Sequence, residues 1–259
     1  MKLCAIFLCW ADWDWLEHSI ENISPHVDGI IIVGSIMSNY FEICGIPDKF
    51  LDVCHQYEPK TNLRPMQNET AKRNFGLEIA NQKRYTHFLM LDSDELYDPI
   101  EFRKTKDYLN SKPNLNGLVC KSQVYVKEPT LTIGLDTTLV PFIHKITPGL
   151  QHCFNKNYPF AWEGRNIRID PTRSLNINSG VEMIDITMHH FSWVRKDYDR
   201  KIRNSTARAN IEKMDLGKKI LPLKEGDVFD LYPGKPLVRV PNKFGLPEIW
   251  ENGLVKSTE

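Results

Sequence analysis

The sequence predicts an α/β fold with a mostly parallel central sheet flanked by helices. Short apolar runs typical of buried strands occupy residues 3–9, 29–33 and 86–91, and helical patterns occupy residues 13–23 and 67–81 between them. Strands that alternate with helices in this way are typical of βαβ units, in which crossover helices join parallel strands. We therefore expect one edge of the sheet to carry the carboxyl ends of several neighbouring strands.

The first half of the chain supplies these elements through simple local patterns. The first helix must end before Pro25, because the residue before a proline disfavours helical backbone. Its apolar stripe recurs at helical spacing and consists of Trp13, Leu16, Ile20 and Ile23. A third buried strand is expected at residues 50–54. The helix at residues 67–81 has an inward side that consists of Ala71, Phe75 and Ile79.

The later elements are marked by a helix start and by weaker strand patterns. Asp98 can cap a helix, Pro99 suits its first position and Glu101 can reach back to the cap, so a helix to about Leu109 is expected. Further strands are predicted at residues 117–126, 138–146 and 184–188, with a loop-rich segment at 151–180 and a basic helix from about Lys196 to Lys213.

The composition is that of a globular chain. Among 259 residues, 33 Lys and Arg balance 33 Asp and Glu, and 41% of the residues are hydrophobic. These values exclude a disordered chain, a collagen-like repeat and a histone-like basic protein. We expect one domain over residues 1–220, followed by an irregular, extended tail over residues 221–259 that is rich in Pro and Gly and packs on the domain.

The sequence also predicts a cytoplasmic protein without a transmembrane segment. The apolar run from Leu3 to Trp10 has eight residues and is followed by Asp12, so it is too short to span a bilayer. The six cysteines include no CxxC pair and are expected to be reduced. The oligomeric state is left open.

Two carboxylates, Asp92 and Asp94, directly follow the apolar run at residues 86–91. In open α/β sheets, ligands bind at the carboxyl ends of the strands. Two carboxylates in one turn repel each other unless a cation lies between them, and Mg²⁺ or Mn²⁺ prefers such oxygen ligands and bridges to phosphates. The alternative is a solvated acidic turn that caps the next helix, but Asp98 is expected to do that.

The residues around this turn resemble a known family. Residues 69–80 and 86–95 together look like the helix, strand and DxD core of GT-A glycosyltransferases, especially the family 2-like enzymes, and residues 13–35 are similar to their first helix and second strand. The resemblance covers roughly residues 1–126 and, more loosely, residues 190–195. It implies a metal-dependent glycosyltransferase that moves a sugar from a nucleotide-sugar, most commonly a UDP-sugar, to an acceptor hydroxyl.

The resemblance also implies roles for individual residues. Asp94 corresponds to the usual direct ligand of the metal, and Asp92 faces the nucleotide ribose or a water on the metal. Arg73 and Asn74 match the pair that lies near the nucleotide-sugar. His190 matches a C-terminal histidine that contacts the metal or the diphosphate.

The remaining assignments are more open. If the reaction inverts the configuration of the sugar, a carboxylate must deprotonate the acceptor hydroxyl. Glu163 is the first candidate for this base, and Asp170 and Asp185 are weaker candidates. Glu163 and Asp92 are therefore the predicted catalytic residues. Arg195 begins a basic segment that could contact the diphosphate or an acceptor phosphate. The family's usual aspartate for the nucleobase is missing, because the second strand ends in Val-Gly-Ser. The donor base therefore stays open.

Other functions compete with this prediction. A nucleotidyltransferase would also use paired carboxylates and a metal, but no glycine-rich loop follows residues 3–9. An aspartyl phosphatase would carry a threonine where Leu96 stands. A non-catalytic carbohydrate-binding or nucleic-acid-binding protein is the third alternative. For the acceptor, a saccharide or other small molecule is favoured slightly over hydroxymethylated bases of viral DNA, although residues 195–219 carry nine Lys and Arg against four Asp and Glu.

Overall fold

A computed structural model describes residues 1–160, 168–205, 208 and 216–247. Its strands are β1 (Leu3–Cys9), β2 (Gly29–Gly34), β3 (Cys54–Gln56), β4 (His87–Asp92), β5 (Glu95–Tyr97), β6 (Gly117–Val126), β7 (Leu131–Lys145), β8 (Arg168–Ile169), β9 (Val181–Trp193) and β10 (Val238–Arg239). Its α-helices are α1 (Trp13–Ile23), α2 (Asp48–Leu51), α3 (Pro65–Gln82), α4 (Pro99–Ser111), α5 (Tyr198–Asn204) and α6 (Leu216–Ile220).

The chain forms two compact units. The first contains residues 1–122 and 137–188, and the second contains residues 123–136 and the chain from residue 189. The chain passes from one unit to the other within β6, β7 and β9. The second unit thus groups residues on both sides of position 220, where the sequence predicts the start of a tail.

The first unit is built on a sheet whose core is parallel. The strand order is β3-β2-β1-β4-β7-β6-β9-β5, and the pairs β2 with β3, β1 with β2 and β1 with β4 are parallel. β7 then joins β4 antiparallel. The α/β class with a mostly parallel central sheet flanked by helices is confirmed. The order of successive strands reverses between β1 and β4, which is the switch point where such sheets open a crevice.

Both faces of this parallel core are covered, which explains its near-continuous apolar strands. All seven residues of β1 are buried. One face packs with α1, whose buried residues include Trp13, Leu16 and Ile23. The other face packs with Leu77, Ile79 and Ala80 of α3. Helices α1 and α3 therefore cover the two faces of the parallel strands that carry the candidate site.

The strand predicted at residues 50–54 is wrong except at its last residue. Asp48–Leu51 form the short helix α2, and strand pairing begins only at Cys54. Pro47 at the helix N-cap and the burial of Phe50, whose ring stacks on Trp13 with centroids 5.3 Å apart, account for the difference. A single helical turn is enough to bury Phe50.

The second unit has its own apolar cluster. β10 pairs antiparallel with β7, matching Val238 to Thr132. The buried residues come from the second-unit parts of β6, β7 and β9, from α5 and α6, and from the chain after residue 220, and they include Val126, Leu131, Trp193, Leu216, Phe229 and Leu237. Within the predicted basic helix the structure has the shorter helix α5, which ends at Asn204 because the backbone of Ser205 is extended. Asp197 caps α5 by accepting a hydrogen bond from the Arg200 amide at 2.8 Å.

None of the helices in the described parts of the chain is long and apolar enough to cross a membrane.

Candidate functional site

The predicted carboxylates lie at the switch point of the first unit. Asp92 is the last residue of β4 and is paired in register with Leu8 of β1. Its side chain is 34% exposed. Asp94 lies in the turn between β4 and β5 and is only 2% exposed. The more accessible of the two carboxylates is therefore Asp92.

Two buried arginines hold the Asp92 carboxylate. Arg73 Nη2 lies 3.3 Å from one oxygen, and Arg173 Nη2 donates to the other at 2.7 Å. The two guanidinium groups are 0% and 3% exposed. Charge-assisted bonds to both oxygens fix the orientation of the carboxylate. The two arginines therefore supply part of the positive charge that is needed to offset the repulsion between Asp92 and Asp94.

Arg173 also binds two further carboxylates. It contacts both oxygens of Glu95, whose side chain is fully buried, and its Nε lies 3.6 Å from Asp170. Burial opposes the charge of Arg173, but Asp92, Glu95 and Asp170 outweigh it and hold its pKa well above the ordinary value. Sequence reasoning missed Arg173, because it lies in a loop-rich segment 81 residues from Asp92.

The α3 residues predicted to lie near the nucleotide have different surroundings. Arg73 also binds Glu69 at 2.8 Å. Burial raises the pKa of the Glu69 carboxyl, and Arg73 offsets part of that rise. Asn74 Oδ1 accepts a hydrogen bond from the His152 amide at 2.6 Å, and Asn74 Nδ2 donates to the His152 carbonyl at 2.9 Å. Asn74 therefore fixes the chain after β7 to α3.

Several buried polar atoms at this edge have no hydrogen-bond partner among the described residues. They are Trp10 Nε1, Tyr57 Oη, and Nε and Nη1 of Arg73. Trp10 follows β1 and Tyr57 follows β3, so these atoms come from three elements that meet at one edge of the sheet. Buried polar groups are normally paired, since an unpaired one costs about 1–3 kcal/mol. A polar ligand would satisfy them.

The charges of the cluster fit a divalent cation supplied together with phosphate. Two arginines face the carboxylates of Glu69, Asp92, Glu95 and Asp170, which leaves two surplus negative charges when all are ionised. Over the residues that the structure describes, no group of three His, Cys, Asp or Glu side chains is placed to hold a metal ion. Mg²⁺ is commonly held by one or two carboxylates plus substrate phosphates, so such a group is not required.

His190 and Arg195 belong to the second unit. His190 lies on β9 and is partly exposed, whereas Arg195 is 8% exposed and its Nε donates to the carbonyl of Ser192 at 2.6 Å. Their contribution to a site with Asp92 and Asp94 stays a prediction.

The candidates for the catalytic base differ in position. Glu163 lies outside the described residues. Asp170 is part of the Arg173 cluster, where it also accepts hydrogen bonds from the amide and hydroxyl of Thr172. Asp185 is 93% exposed and pairs with Lys121 at 2.9 Å, and that bond lowers the pKa of its carboxyl.

Comparisons with known proteins give similarity of structure only. No protein-family model matches the sequence, and no curated protein matches it. S. aureus TarS is 11% identical, with a TM-score of 0.40 over 83% of this chain and 70% of that chain. A putative nucleotide-diphospho-sugar transferase from Desulfovibrio desulfuricans G20 is 11% identical, with a TM-score of 0.38 over 83% and 95%.

Two further solved structures align over about half of this chain. S. aureus TarS in complex with UDP is 12% identical, with a TM-score of 0.33, and the match covers 48% of this chain and 36% of that chain. A putative glucose-1-phosphate thymidylyltransferase from Bacillus anthracis is 10% identical, with a TM-score of 0.31 over 49% and 56%. Alignments with TM-scores of 0.31 to 0.40 and identities of 10 to 12% assign neither a family nor an activity to this chain.

Proposed function

We propose that this chain is a glycosyltransferase that binds a nucleotide-sugar, a UDP-sugar first of all, over the carboxyl ends of β1 and β4. One observation carries the proposal: Asp92 ends β4 at the reversal of strand order, and two buried arginines hold its carboxylate in place. The unpaired polar atoms of Trp10, Tyr57 and Arg73 at the same edge support a polar ligand there. The sequence resemblance at residues 69–95 supports the type of ligand.

The residues of the cluster would act by orienting the donor. Arg173 and Arg73 keep Asp92 in one orientation, so binding and reaction need little rearrangement at this point. The Nε and Nη1 groups of Arg73, which have no partner among the described residues, would donate hydrogen bonds to the donor. Asp94 would hold Mg²⁺ or Mn²⁺ together with donor phosphate oxygens. When bound, such an ion would stabilise negative charge on the departing diphosphate.

The acceptor in this proposal is a saccharide or another small hydroxyl compound, with Glu163 as the base if the reaction inverts. Modified viral DNA is the alternative acceptor, because α5 and its neighbours are basic. Fluorescence anisotropy with duplex DNA at two salt concentrations separates the two, since phosphate contacts weaken steeply with salt. Salt-sensitive binding that is lost on charge reversal of Arg200 and Lys201 would favour DNA.

We also propose a cytoplasmic location, because all six cysteines are free thiols.

The experiment that tests the proposal is a thermal-shift panel of UDP, GDP, CDP, ADP and dTDP, with and without Mg²⁺ or Mn²⁺. A ligand that binds the folded state raises the unfolding temperature by mass action. We expect one diphosphate to stabilise the protein, and more strongly with the metal. A response to nucleoside triphosphates together with pyrophosphate release from a sugar 1-phosphate would favour a nucleotidyltransferase instead.

The first prediction concerns the paired carboxylates. Asp94→Asn should abolish the metal-dependent part of nucleotide binding and leave the fold intact, because asparagine keeps the size of the side chain and removes its charge. Asp92→Asn should have a smaller effect. Asp107→Asn, an exposed aspartate on α4, is the matched control and should bind as the unmodified protein does. Undiminished metal-dependent binding by Asp94→Asn, measured by calorimetry, would refute the site.

A further inference from the structure

Lys72 places a buried cation at the carboxyl end of β1. This side chain has no role in the proposed donor binding described above. Its Nζ donates to the carbonyl of Cys9, the last residue of β1, at 2.8 Å. The residue is only 7% exposed. Because β1 lies beside β4 in the sheet, this ammonium belongs to the same switch point as Asp92.

The close approach of α3 to the sheet sets this position. Lys72 and Gly76 are four residues apart and share one face of the helix. A Cβ atom at Gly76 would lie 2.5 Å from Ile6 Cγ2 on β1 and 3.1 Å from Val33 Cγ2 on β2. That face of α3 is therefore pressed against β1 and β2, and Lys72 lies on it one turn nearer the helix N-terminus.

The groups around Lys72 do not fully account for a buried ammonium. The ionisable groups that act on it are Cys9 on β1, Cys54 at the start of β3, Asp92 on β4 and Glu69 on α3. Burial lowers the pKa of Lys72 to about 8, although these acids offset part of the shift. An ammonium has three donors, and within the described chain Lys72 uses one of them, on Cys9. Two donors are left for another acceptor.

The neighbouring residue supplies a second, independent observation. Arg73 is 0% exposed, and its Nε and Nη1 have no partner in the part of the chain that the structure describes. Buried donors that are left unpaired on adjacent residues of one helix call for an acceptor with several oxygens. Phosphate groups have that character, and carboxylates already occupy the other side of Arg73.

We propose that Lys72 binds the diphosphate of the donor nucleotide, and that Lys72 and Arg73 together form the floor of the donor site. This inference rests on the proposed function and names a residue of its binding site. The ligand class is a nucleoside diphosphate, bound through its phosphate oxygens. The ammonium would add positive charge where the carboxylate cluster leaves a surplus of negative charge.

The test compares the unmodified protein with Lys72→Met, which keeps the apolar stem and removes the charge. The probe is whichever of UDP, GDP, CDP, ADP and dTDP binds the unmodified protein most tightly, in MgCl₂. We expect Lys72→Met to weaken binding by about tenfold or more, as for the loss of a charged hydrogen bond. Lys49→Met, which removes an exposed lysine paired with Glu17, is the matched control and should not change the affinity.

A proton-uptake measurement separates phosphate contact from a structural role. At pH 8.5 the free Lys72 is largely neutral, and a bound diphosphate would charge it. Calorimetry in two buffers of different ionisation enthalpy should therefore show uptake of roughly half a proton per nucleotide by the unmodified protein and none by Lys72→Met. A purely structural lysine would change the affinity without changing the proton count.

The outcomes are distinguishable. If Lys72→Met binds with unchanged affinity and unchanged proton uptake, this inference is wrong and the proposed function stands. If Lys72→Met loses affinity while proton uptake persists, the contact is not through Lys72 and the inference is again wrong. If the unmodified protein binds none of the five diphosphates, the proposed function and this inference fail together.

Discussion

At the scale of single residues, Arg173 decides how the candidate site is built. It keeps the carboxylates of Asp92, Glu95 and Asp170 together, although like charges at this separation repel. Removing one partner of a buried ion pair costs about 3–5 kcal/mol, whereas replacing both partners by neutral groups is often tolerated. The stability of the cluster and its function can therefore be separated by the choice of substitutions.

We predict that Arg173→Met alone lowers the free energy of unfolding by about 3 kcal/mol, because the fully buried Glu95 loses the positive charge of Arg173. The double variant Arg173→Met with Glu95→Gln should recover most of that loss. It should still bind the nucleotide more weakly than the unmodified protein, because the Asp92 carboxylate loses its 2.7 Å contact with Arg173. Urea unfolding and calorimetry measure the two effects. Equal stability of the single and double variants would contradict the pairing, and unchanged binding by the double variant would contradict the orienting role.

The carboxylates and the arginines differ in how far the sequence could predict them. Asp92 and Asp94 follow a buried strand directly, so local pattern alone places them at the edge of the sheet. Arg73 and Asn74 were placed on the correct helix, but the contact of Asn74 with His152 depends on a loop 78 residues away. Arg173 carries no local signal, because only tertiary folding brings it to Asp92. Sequence patterns thus locate this site but do not predict its ion pairs.

At the scale of elements, the quality of a prediction follows the length and clarity of its pattern. Residues 3–9 form β1 as predicted, and Asp98 caps α4 by accepting hydrogen bonds from the amides of Ile100 and Glu101. Residues 50–54 have a short apolar run, which strand and helix patterns explain equally well, and there tertiary packing of Phe50 decides. β7 begins at Leu131, seven residues before the predicted start at residue 138. Its residues 134–137 are less buried and lack the apolar pattern that would have joined the two parts of the strand.

Gly76 allows α3 to pack closely against β1 and β2. Gly76→Ala should lower the free energy of unfolding by about 1–2 kcal/mol, since overpacking against the fully buried Ile6 exceeds the gain in helix propensity. It should also weaken nucleotide binding, because Lys72 and Arg73 lie one turn away on the same helix. Gly45→Ala is the control, since a Cβ there meets open space. Chemical denaturation and calorimetry give both readouts; a stabilised Gly76→Ala would show that α3 is not in close contact.

At the scale of the whole molecule, histidines in the first unit set the response to acid. His144 is fully buried and bonds to the Tyr158 hydroxyl at 2.7 Å, and burial lowers its pKa to about 3. Burial and the charge of Arg73 hold the pKa of His152 well below its ordinary value. Both side chains therefore stay neutral in the folded protein at pH values where exposed histidines in the unfolded chain take up protons.

The direction of the pH effect follows from this difference in bound protons. Between pH 6.5 and about 3 the unfolded state binds more protons than the folded state, so stability falls as the pH falls. Glu69, whose pKa is raised, acts in the opposite sense. We predict that these two histidines together lower the free energy of unfolding by about 2 kcal/mol per pH unit, about 1 kcal/mol for each, from pH 6.5 to 5, before the opposing effect of Glu69 is subtracted. Carboxyls with ordinary pKa values remain ionised in this range. Urea unfolding at several pH values measures the slope, and His144→Gln, which keeps a polar partner for Tyr158, should reduce it. A stability that stays constant over this range would contradict neutral buried histidines in the folded state. An unchanged slope in His144→Gln would assign the effect to the other histidines with lowered pKa values, chiefly His152 and His87.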